Sequence, residues 1–412
     1  MYRATWPILI SAIVIVVAVL TLNTVIKVES PIQYSSADWT AREQGSSVFI
    51  MDEELPSSDQ PDDLSWEVRT VVTKLQVPWD ITTLPSGNLL VTERSGYLSE
   101  VNPEDGTVVH RAQVPDVIEY EPPKGEQGLT GVAIAPDFAT SKRLYLYYSY
   151  LQEETVRNRV SSFVYDGERV SNERIIVELP GGKIHNGAQL RIGPDGKLWI
   201  PTGEGGARFL AQDPTSLGGK LLRLNLDGSI PSDNPTKGSA VYSLGHRNPQ
   251  GFAWQPGTDR IYMTEHGQIG NDEVNLIKPG HNYGWPFWQY CSPGELNIAP
   301  EWLTDPVFCS WTGTVAPSGG AFLSNVPDLT NSFFVAGLRG QALHRILLDD
   351  TGAVEDHAIY FLKEYGRFRA LATSADGTKL YLGTSNTDGR LGVPAAEDDD
   401  RILELTPILR SE

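Results

Sequence analysis

From Trp66 onward the chain alternates apolar and polar residues in short runs, and the runs come in pairs. Ala188 to Ile192 alternates, the turn Gly193-Pro194-Asp195-Gly196 follows, and a second run extends from Leu198 to Pro201. Proline presets one dihedral of such a turn and glycine accepts a positive φ, so the pair reads as a β-hairpin. The unit recurs. Pro78-Trp79-Asp80-Ile81 leads through Pro85-Ser86-Gly87-Asn88 to Leu89–Arg94, and Gly128–Ile134 through Pro136-Asp137-Phe138 to Leu144–Tyr148. Gln250–Trp254 leads through Pro256-Gly257-Thr258-Asp259 to Ile261–Thr264, Ser318–Phe322 to Phe333–Ala336, and Ala370–Thr373 through Ala375-Asp376-Gly377 to Leu380–Gly383. Six small antiparallel units at intervals of roughly forty to seventy residues predict an all-β chain, a six-bladed β-propeller. Pairing of Val68–Leu75 with Arg401–Leu405 would close the ring and leave no open sheet edge. A β-sandwich or two small barrels is the competing architecture, which the repetition of one turn type disfavours.

The first residues break this pattern. Trp6 to Ile26 is an apolar run long enough to span a bilayer as a helix, with Arg3 before it and no clean small-x-small cleavage signature after it. It reads as an uncleaved signal anchor, a transmembrane helix within residues 1–27; a buried core helix is the alternative. Residues 28–65, rich in Ser, Asp, Glu, Gln and Pro, read as a flexible acidic linker. Residues 66–412 are then the propeller, expected outside the cytoplasm, at the periplasmic or outer face of the membrane that holds the anchor.

A formal charge of -19 argues against a nucleic-acid partner, whose phosphates would be repelled. An anionic small ligand must therefore be met by locally gathered arginines. The two cysteines, Cys291 and Cys309, are too few for a disulfide scaffold. They form one bridge in an exported chain or remain two thiols.

Propeller ligands sit at one end of the channel, on loops entering and leaving the innermost strands. The corresponding places here read Glu126-Gln127-Gly128, His185-Asn186-Gly187, Gly245–Gly251, Thr314–Ser318 with Gly337-Leu338-Arg339-Gly340, and Arg367-Phe368-Arg369. Arg247, Arg339, Arg367 and Arg369 are thus aimed at one region. Arginine grips carboxylates with two parallel hydrogen bonds, so the set predicts a ligand bearing several carboxylates or phosphates, unless each arginine pairs with a nearby acid. A glycine-rich acidic stretch, Glu265–Leu276, precedes Gly280–Pro286. Its carbonyls and carboxylates suit calcium, a hard ion that takes many oxygens, although an ordinary polar loop fits the same spacing and no EF-hand pattern is present. Ligand sets spaced for zinc are absent.

Gly245-His246-Arg247-Asn248-Pro249-Gln250-Gly251, Glu265-His266-Gly267 with Asp272-Glu273, Asn282–Pro286, Ala316–Gly319 and Asp398–Ile402 together resemble the glucose/sorbosone dehydrogenase family. The resemblance spans about Val68 to Pro407 and implies a sugar dehydrogenase that uses pyrroloquinoline quinone and calcium to oxidise aldoses at the anomeric carbon. By that resemblance His185 is the general base, Arg247 stands beside the reacting carbonyl, and Gln127, Asn248, Thr314, Arg339, Arg367 and Arg369 contact the quinone. The carbonyls of Gly267 and Gln268 match ligands of the calcium that joins the quinone, and Glu273 and the Tyr283 carbonyl match a second calcium site. Two departures stand out. Glu204 replaces the aspartate that usually orients the catalytic histidine, and Gly187-Ala188-Gln189 stands where many relatives have a glycine pair followed by arginine. The electron acceptor, a membrane quinone or a small cytochrome, is not legible. A calcium-dependent lactonase-type hydrolase and a non-catalytic extracellular binding propeller are the competing functions.

Overall fold

In the computed structural model, the described residues are 64–118, 125–187, 189–268, 270–288, 302–309, 314–390, 392 and 394–409. The expected membrane anchor and nearly all of the acidic linker lie outside them. No described helix is long and apolar enough to cross a membrane.

The chain builds six four-stranded antiparallel sheets. Blade one is β1's successor set, β2 (Pro78–Thr83), β3 (Leu89–Glu93), β4 (Tyr97–Val101) and β5 (Val108–Gln113). Blade two is β6 (Leu129–Ile134), β7 (Arg143–Gln152), β8 (Thr155–Tyr165) and β9 (Val170–Pro180). Blade three is β10 (Arg191–Ile192), β11 (Leu198–Thr202), β12 (Lys220–Leu224) and β13 (Val241–Leu244). Blade four is β14 (Pro249–Trp254), β15 (Ile261–Glu265), β16 (Glu273–Ile277) and β17 (Phe308–Cys309). Blade five is β18 (Pro317–Phe322), β19 (Ser332–Gly337), β20 (Ala342–Leu348) and β21 (Val354–Tyr360). Blade six joins β22 (Phe368–Thr373), β23 (Leu380–Thr384) and β24 (Ile402–Leu409) to β1 (Leu64–Val72) from the other end of the body.

The closure expected from sequence is therefore present, with Val68 opposite Leu405 and Thr70 opposite Leu403. It begins earlier than expected. Leu64 and Ser65, assigned to the linker, pair with Leu409 and Ile408, because Leu64 is buried among the side chains of blades five and six. Cys309 is disulfide-bonded, and Cys291 lies outside the described residues.

Packing explains the ring. The buried side chains fall into six clusters, each lying between two neighbouring blades. Leu90 and Leu98 meet Leu144 and Leu146 between blades one and two, whereas Ile81, Val91 and Val101 meet Ala370, Tyr381 and Ile402 between blades one and six. Alternation along each strand sends successive side chains to opposite faces, so one strand serves two interfaces. No blade buries its faces alone, which is why the unit must be repeated until the ring closes.

The innermost strands β2, β6, β10, β14, β18 and β22 surround the axis. The expected strand Ala188–Ile192 pairs as a ladder only over Arg191–Ile192, because Gln189 works across the channel instead. Its Oε1 accepts from Phe252 N at 2.8 Å, and its Nε2 reaches Asp80 Oδ1 and the Leu371 carbonyl, both at 3.4 Å. Arg191 grips Asp80 with two nitrogens at 2.8 and 2.9 Å, and Val132 N donates to the same carboxylate. Asp80, 1% exposed, thus ties blades one, two and three. Gln189 and Arg191, two residues apart, lie on the same side of an extended strand and meet the same carboxylate.

Candidate active site

In a four-stranded antiparallel blade the start of the innermost strand and the end of the second lie at the same edge, so twelve loop ends gather at one mouth of the channel. Hydrogen bonds between blades show the gathering. His185 N donates to Glu126 Oε2 at 2.8 Å, Gly187 N to Asn248 Oδ1 at 3.1 Å, and Glu204 N to the Arg247 carbonyl at 3.0 Å. Arg369 Nη1 donates to Gln250 Oε1 at 3.1 Å, and Asp272 accepts from both Gly267 N and Ala316 N.

His185, just before β10, holds φ +56 and is 7% exposed. Its Nδ1 lies 2.8 Å from both carboxylate oxygens of Glu204, which follows β11. A carboxylate can only accept, so this contact puts the proton on Nδ1 and leaves the Nε2 lone pair available. Gly206 N holds Glu204 Oε2 in turn at 3.0 Å. The longer side chain at position 204 is therefore accommodated by the glycine loop and makes full contact with the histidine.

Arg247 lies over the Trp285 ring at 5.2 Å and donates from Nη1 to the His266 carbonyl at 3.2 Å. Its own backbone N donates to Glu265 Oε1. The other oxygen of Glu265 meets His246 Nδ1 at 2.8 Å, and His246 Nε2 meets Ser243 Oγ at 2.8 Å. This Ser–His–Glu row has the geometry of a nucleophilic triad, but Ser243 and His246 are 0% exposed. No substrate reaches that hydroxyl, and the row braces Arg247.

Arg367 sits just before β22 and Arg369 on it, 7% and 3% exposed. Arg367 pairs with Asp388 at 3.0 Å. Arg369 stacks on Trp79 at 3.6 Å. Burial, then the nearby charge of Arg94, push the Arg369 guanidinium down to about 9, against the pull of Asp388. Half-buried His266, after β15, is held neutral: burial pushes it down to about 3 against the pull of Glu126, and the charges of Arg369 and Arg247 add to the effect of burial.

Around this mouth four nitrogens shut off from solvent have no hydrogen-bond partner: Arg247 Nε, Asn248 Nδ2, His266 Nε2 and Arg369 Nε. Asn248 Oδ1, by contrast, accepts twice, from Gly187 N and from Gln250 Nε2. Buried polar atoms are rarely left unpaired, and a cluster of donors facing one space marks where an acceptor-rich ligand binds.

The structure thus brings His185, Glu204, Arg247, Asn248, Arg367 and Arg369 together. Arg339 is exposed on the turn between β19 and β20, and its side chain engages no described residue; Thr314 is half-buried without a hydrogen bond. The Gln127 carbonyl accepts from Arg94 Nε at 2.9 Å, and its neighbour Glu126 reaches His185. Gly267, Gln268, Glu273 and Tyr283 line one small cavity with Arg247, Glu265 and His266. Burial, Glu265, Asp272 and Asp305 push the Glu273 carboxyl well above the usual range. Among the described residues no group of three or more His, Cys, Asp or Glu stands ready to hold a metal. Glu126, His266, Arg94, Trp79 and Arg390 belong to the site without having been singled out from sequence.

Residues 75–393 match the model of the Glucose / Sorbosone dehydrogenase family, and the chain belongs to that family. It is 33% identical over 350 residues to an aldose sugar dehydrogenase of Escherichia coli, covering 79% of this chain and 91% of that one. It is 28% identical to quinoprotein glucose dehydrogenase B of Acinetobacter calcoaceticus, covering 78% and 85%. Among solved structures, the PQQ-bound form of aldose sugar dehydrogenase from Streptomyces coelicolor superposes with a TM-score of 0.73 at 39% identity, over 84% of this chain and 98% of that one.

Proposed function

We propose that this protein is a pyrroloquinoline quinone-dependent sugar dehydrogenase that oxidises aldoses at the anomeric carbon to lactones. The four buried nitrogens without partners, set beside Arg367, are the observation that carries the reading. The quinone bears three carboxylates, and this is the donor set such a ligand needs. When bound, the quinone supplies the acceptor for the two electrons and the hydrogen that leave C1 as a hydride. His185 takes the proton of the anomeric hydroxyl at Nε2, while Glu204 holds Nδ1 and favours the imidazolium that forms. Arg247, braced through its backbone by Glu265, offers a fixed positive charge where negative charge gathers on the acceptor oxygen. Arg367, Arg369 and Asn248 orient the quinone.

The cavity beside Arg247 suits calcium. Glu265 and Glu273 share it with the Gly267–Gln268 backbone and Tyr283, and the upward shift of Glu273 reflects burial first and then the negative charge of Glu265, Asp272 and Asp305, which a cation would relieve. With few side-chain oxygens at hand, such an ion would draw on backbone carbonyls, as calcium permits. There it would act as a Lewis acid on the acceptor. The apolar run Trp6–Ile26 supports anchoring at the outer face of the cell membrane, where a membrane quinone or a small cytochrome would take the electrons.

The test uses the full-length protein incubated with calcium and pyrroloquinoline quinone, followed by absorbance as aldoses are added. Sugar-dependent reduction of bound quinone is expected, lost in His185→Ala with quinone binding retained. Failure of the quinone to bind in the presence of calcium rejects the reading.

A further inference from the structure

We infer that Glu126 is the positioning residue of His185, and that Arg390 fixes Glu126 for this task. The inference rests on the reading of His185 as the base, and it begins from an unusual backbone. His185 carries a Cβ at φ +56, in the left-handed region that such residues rarely occupy unless held there. What holds it is a set of contacts on each of its polar groups. Its carbonyl accepts from Gly205 N at 2.9 Å, its Nδ1 faces Glu204, and its N–H donates to Glu126 Oε2 at 2.8 Å. The first two belong to blade three itself. Glu126 alone brings a neighbouring blade to bear on the histidine backbone, and so fixes where the free Nε2 points.

Glu126 is itself firmly held. Its N–H donates to the Lys183 carbonyl at 2.7 Å, two residues before the histidine. Its other oxygen, Oε1, accepts from Arg390 Nη1 at 3.2 Å. Arg390 Nη2 also donates to the Gly125 carbonyl at 2.7 Å, and Arg94 Nη2 donates to the same carbonyl at 2.5 Å. Two guanidiniums, one from blade one and one from the loop after β23 of blade six, thus clasp the segment that presents Glu126. Burial works against a charge on Glu126, but His185, Arg390 and the hydrogen bond from the His185 N–H outweigh it and keep the carboxyl well below the usual range. A carboxylate in that state only accepts, which is what the His185 N–H requires.

Replacement of Glu126 by alanine removes the acceptor, and replacement by glutamine keeps an oxygen of the same reach. The full-length protein and its E126A and E126Q variants are compared by hydrogen exchange at the His185 amide without quinone, by kcat and KM of the quinone-loaded enzyme, by quinone affinity and by thermal midpoint. E126A is expected to speed exchange of the His185 amide at least about tenfold and to lower kcat about ten- to a hundredfold, with KM and quinone affinity within about threefold, because a misdirected base costs rate rather than binding. E126Q is expected to restore the protection and at least about a third of kcat. Parental kcat in E126A overturns the inference. So does an E126Q as impaired as E126A, since charge and not the hydrogen bond would then matter, and so does a loss of quinone affinity equal to the loss of kcat. Should the parent show no sugar-dependent reduction, the proposed function fails, and amide exchange alone decides whether Glu126 holds His185.

Discussion

Shortening Glu204 to aspartate tests how rigidly the loop beneath the base is built. Both carboxylate oxygens lie 2.8 Å from His185 Nδ1. Removing one methylene withdraws the carboxylate by about 1.5 Å, to about 4 Å, beyond hydrogen-bond range, unless the backbone follows. The backbone has no room to follow. A Cβ on Gly203 would fall 1.9 Å from the His185 carbonyl oxygen, Gly205 N already bonds that oxygen, and Glu204 N is tied to the Arg247 carbonyl. A hydrogen bond to a charged group contributes about 1.5–3 kcal/mol, so its loss lowers kcat about ten- to 150-fold. Glu204→Asp should therefore impair this enzyme even though aspartate is usual in relatives, and Glu204→Gln should fall at least as far, because its amide can donate to Nδ1 and reverse the tautomer. The assay is kcat and KM for an aldose on quinone-loaded protein, with quinone binding measured alongside. KM and quinone affinity should hold within about threefold. An aspartate variant with kcat within about twofold of the parent refutes the claim that the loop cannot move.

Arg369→Met should weaken quinone binding about tenfold or more, the worth of a charged hydrogen bond, while the quinone-free protein keeps its thermal midpoint, since the lost group is a buried cation whose Nε has no partner. Titration and melting with and without quinone check both halves. Asp80→Ala takes from Arg191 the buried carboxylate that it grips with two nitrogens and should cost about 3 kcal/mol in urea unfolding with the denaturant slope unchanged. Ser243→Ala should retain sugar oxidation within a few-fold in the same absorbance assay, whereas abolition would show that the Ser243–His246–Glu265 row does more than brace Arg247. Burial and then the charge of His357 push His344 down to about 3, and burial lowers His357 as well. Unfolded histidine takes its proton near pH 6.5, so between about 6.5 and 3 the unfolded chain binds more protons and stability falls with pH, by at most about 1.4 kcal/mol per pH unit for each histidine. His344→Gln should flatten the dependence of the urea midpoint on pH across that window.

The ring was legible because the blades repeat one pattern, an alternating pair of runs mostly about a Pro–Asp–Gly type turn, and because the runs Val68–Leu75 and Arg401–Leu405 each need a partner. The convergence of His185, Glu204 and Arg247 was legible through the motifs that carry them. What escaped was orientation within loops. Gly125 at φ +76 and Gly128 at φ +126 turn the Glu126–Gln127 segment so that the acid faces His185, and a one-residue choice of that kind is not written in spacing. Arg390 escaped for a different reason. It meets Glu126 across 264 residues, and only the order of blades around the ring brings those loops together. Gln189, legible only as a departure from the family's pattern, acts through its side chain across the channel, where alternation of apolar residues carries no signal.

The closing seam has a temporal meaning. Ser65 Oγ reaches the Ile408 carbonyl across 343 residues, so the first strand of the body leaves the ribosome long before its partner exists. At ordinary rates of synthesis that wait is about 17 to 70 seconds. Until blade five is made Leu64, Trp66 and Val68 have no surface to cover them, and five blades can form while the sixth is one strand short. Whatever guards this chain during its birth must therefore act at its beginning, and release it only when the end has arrived.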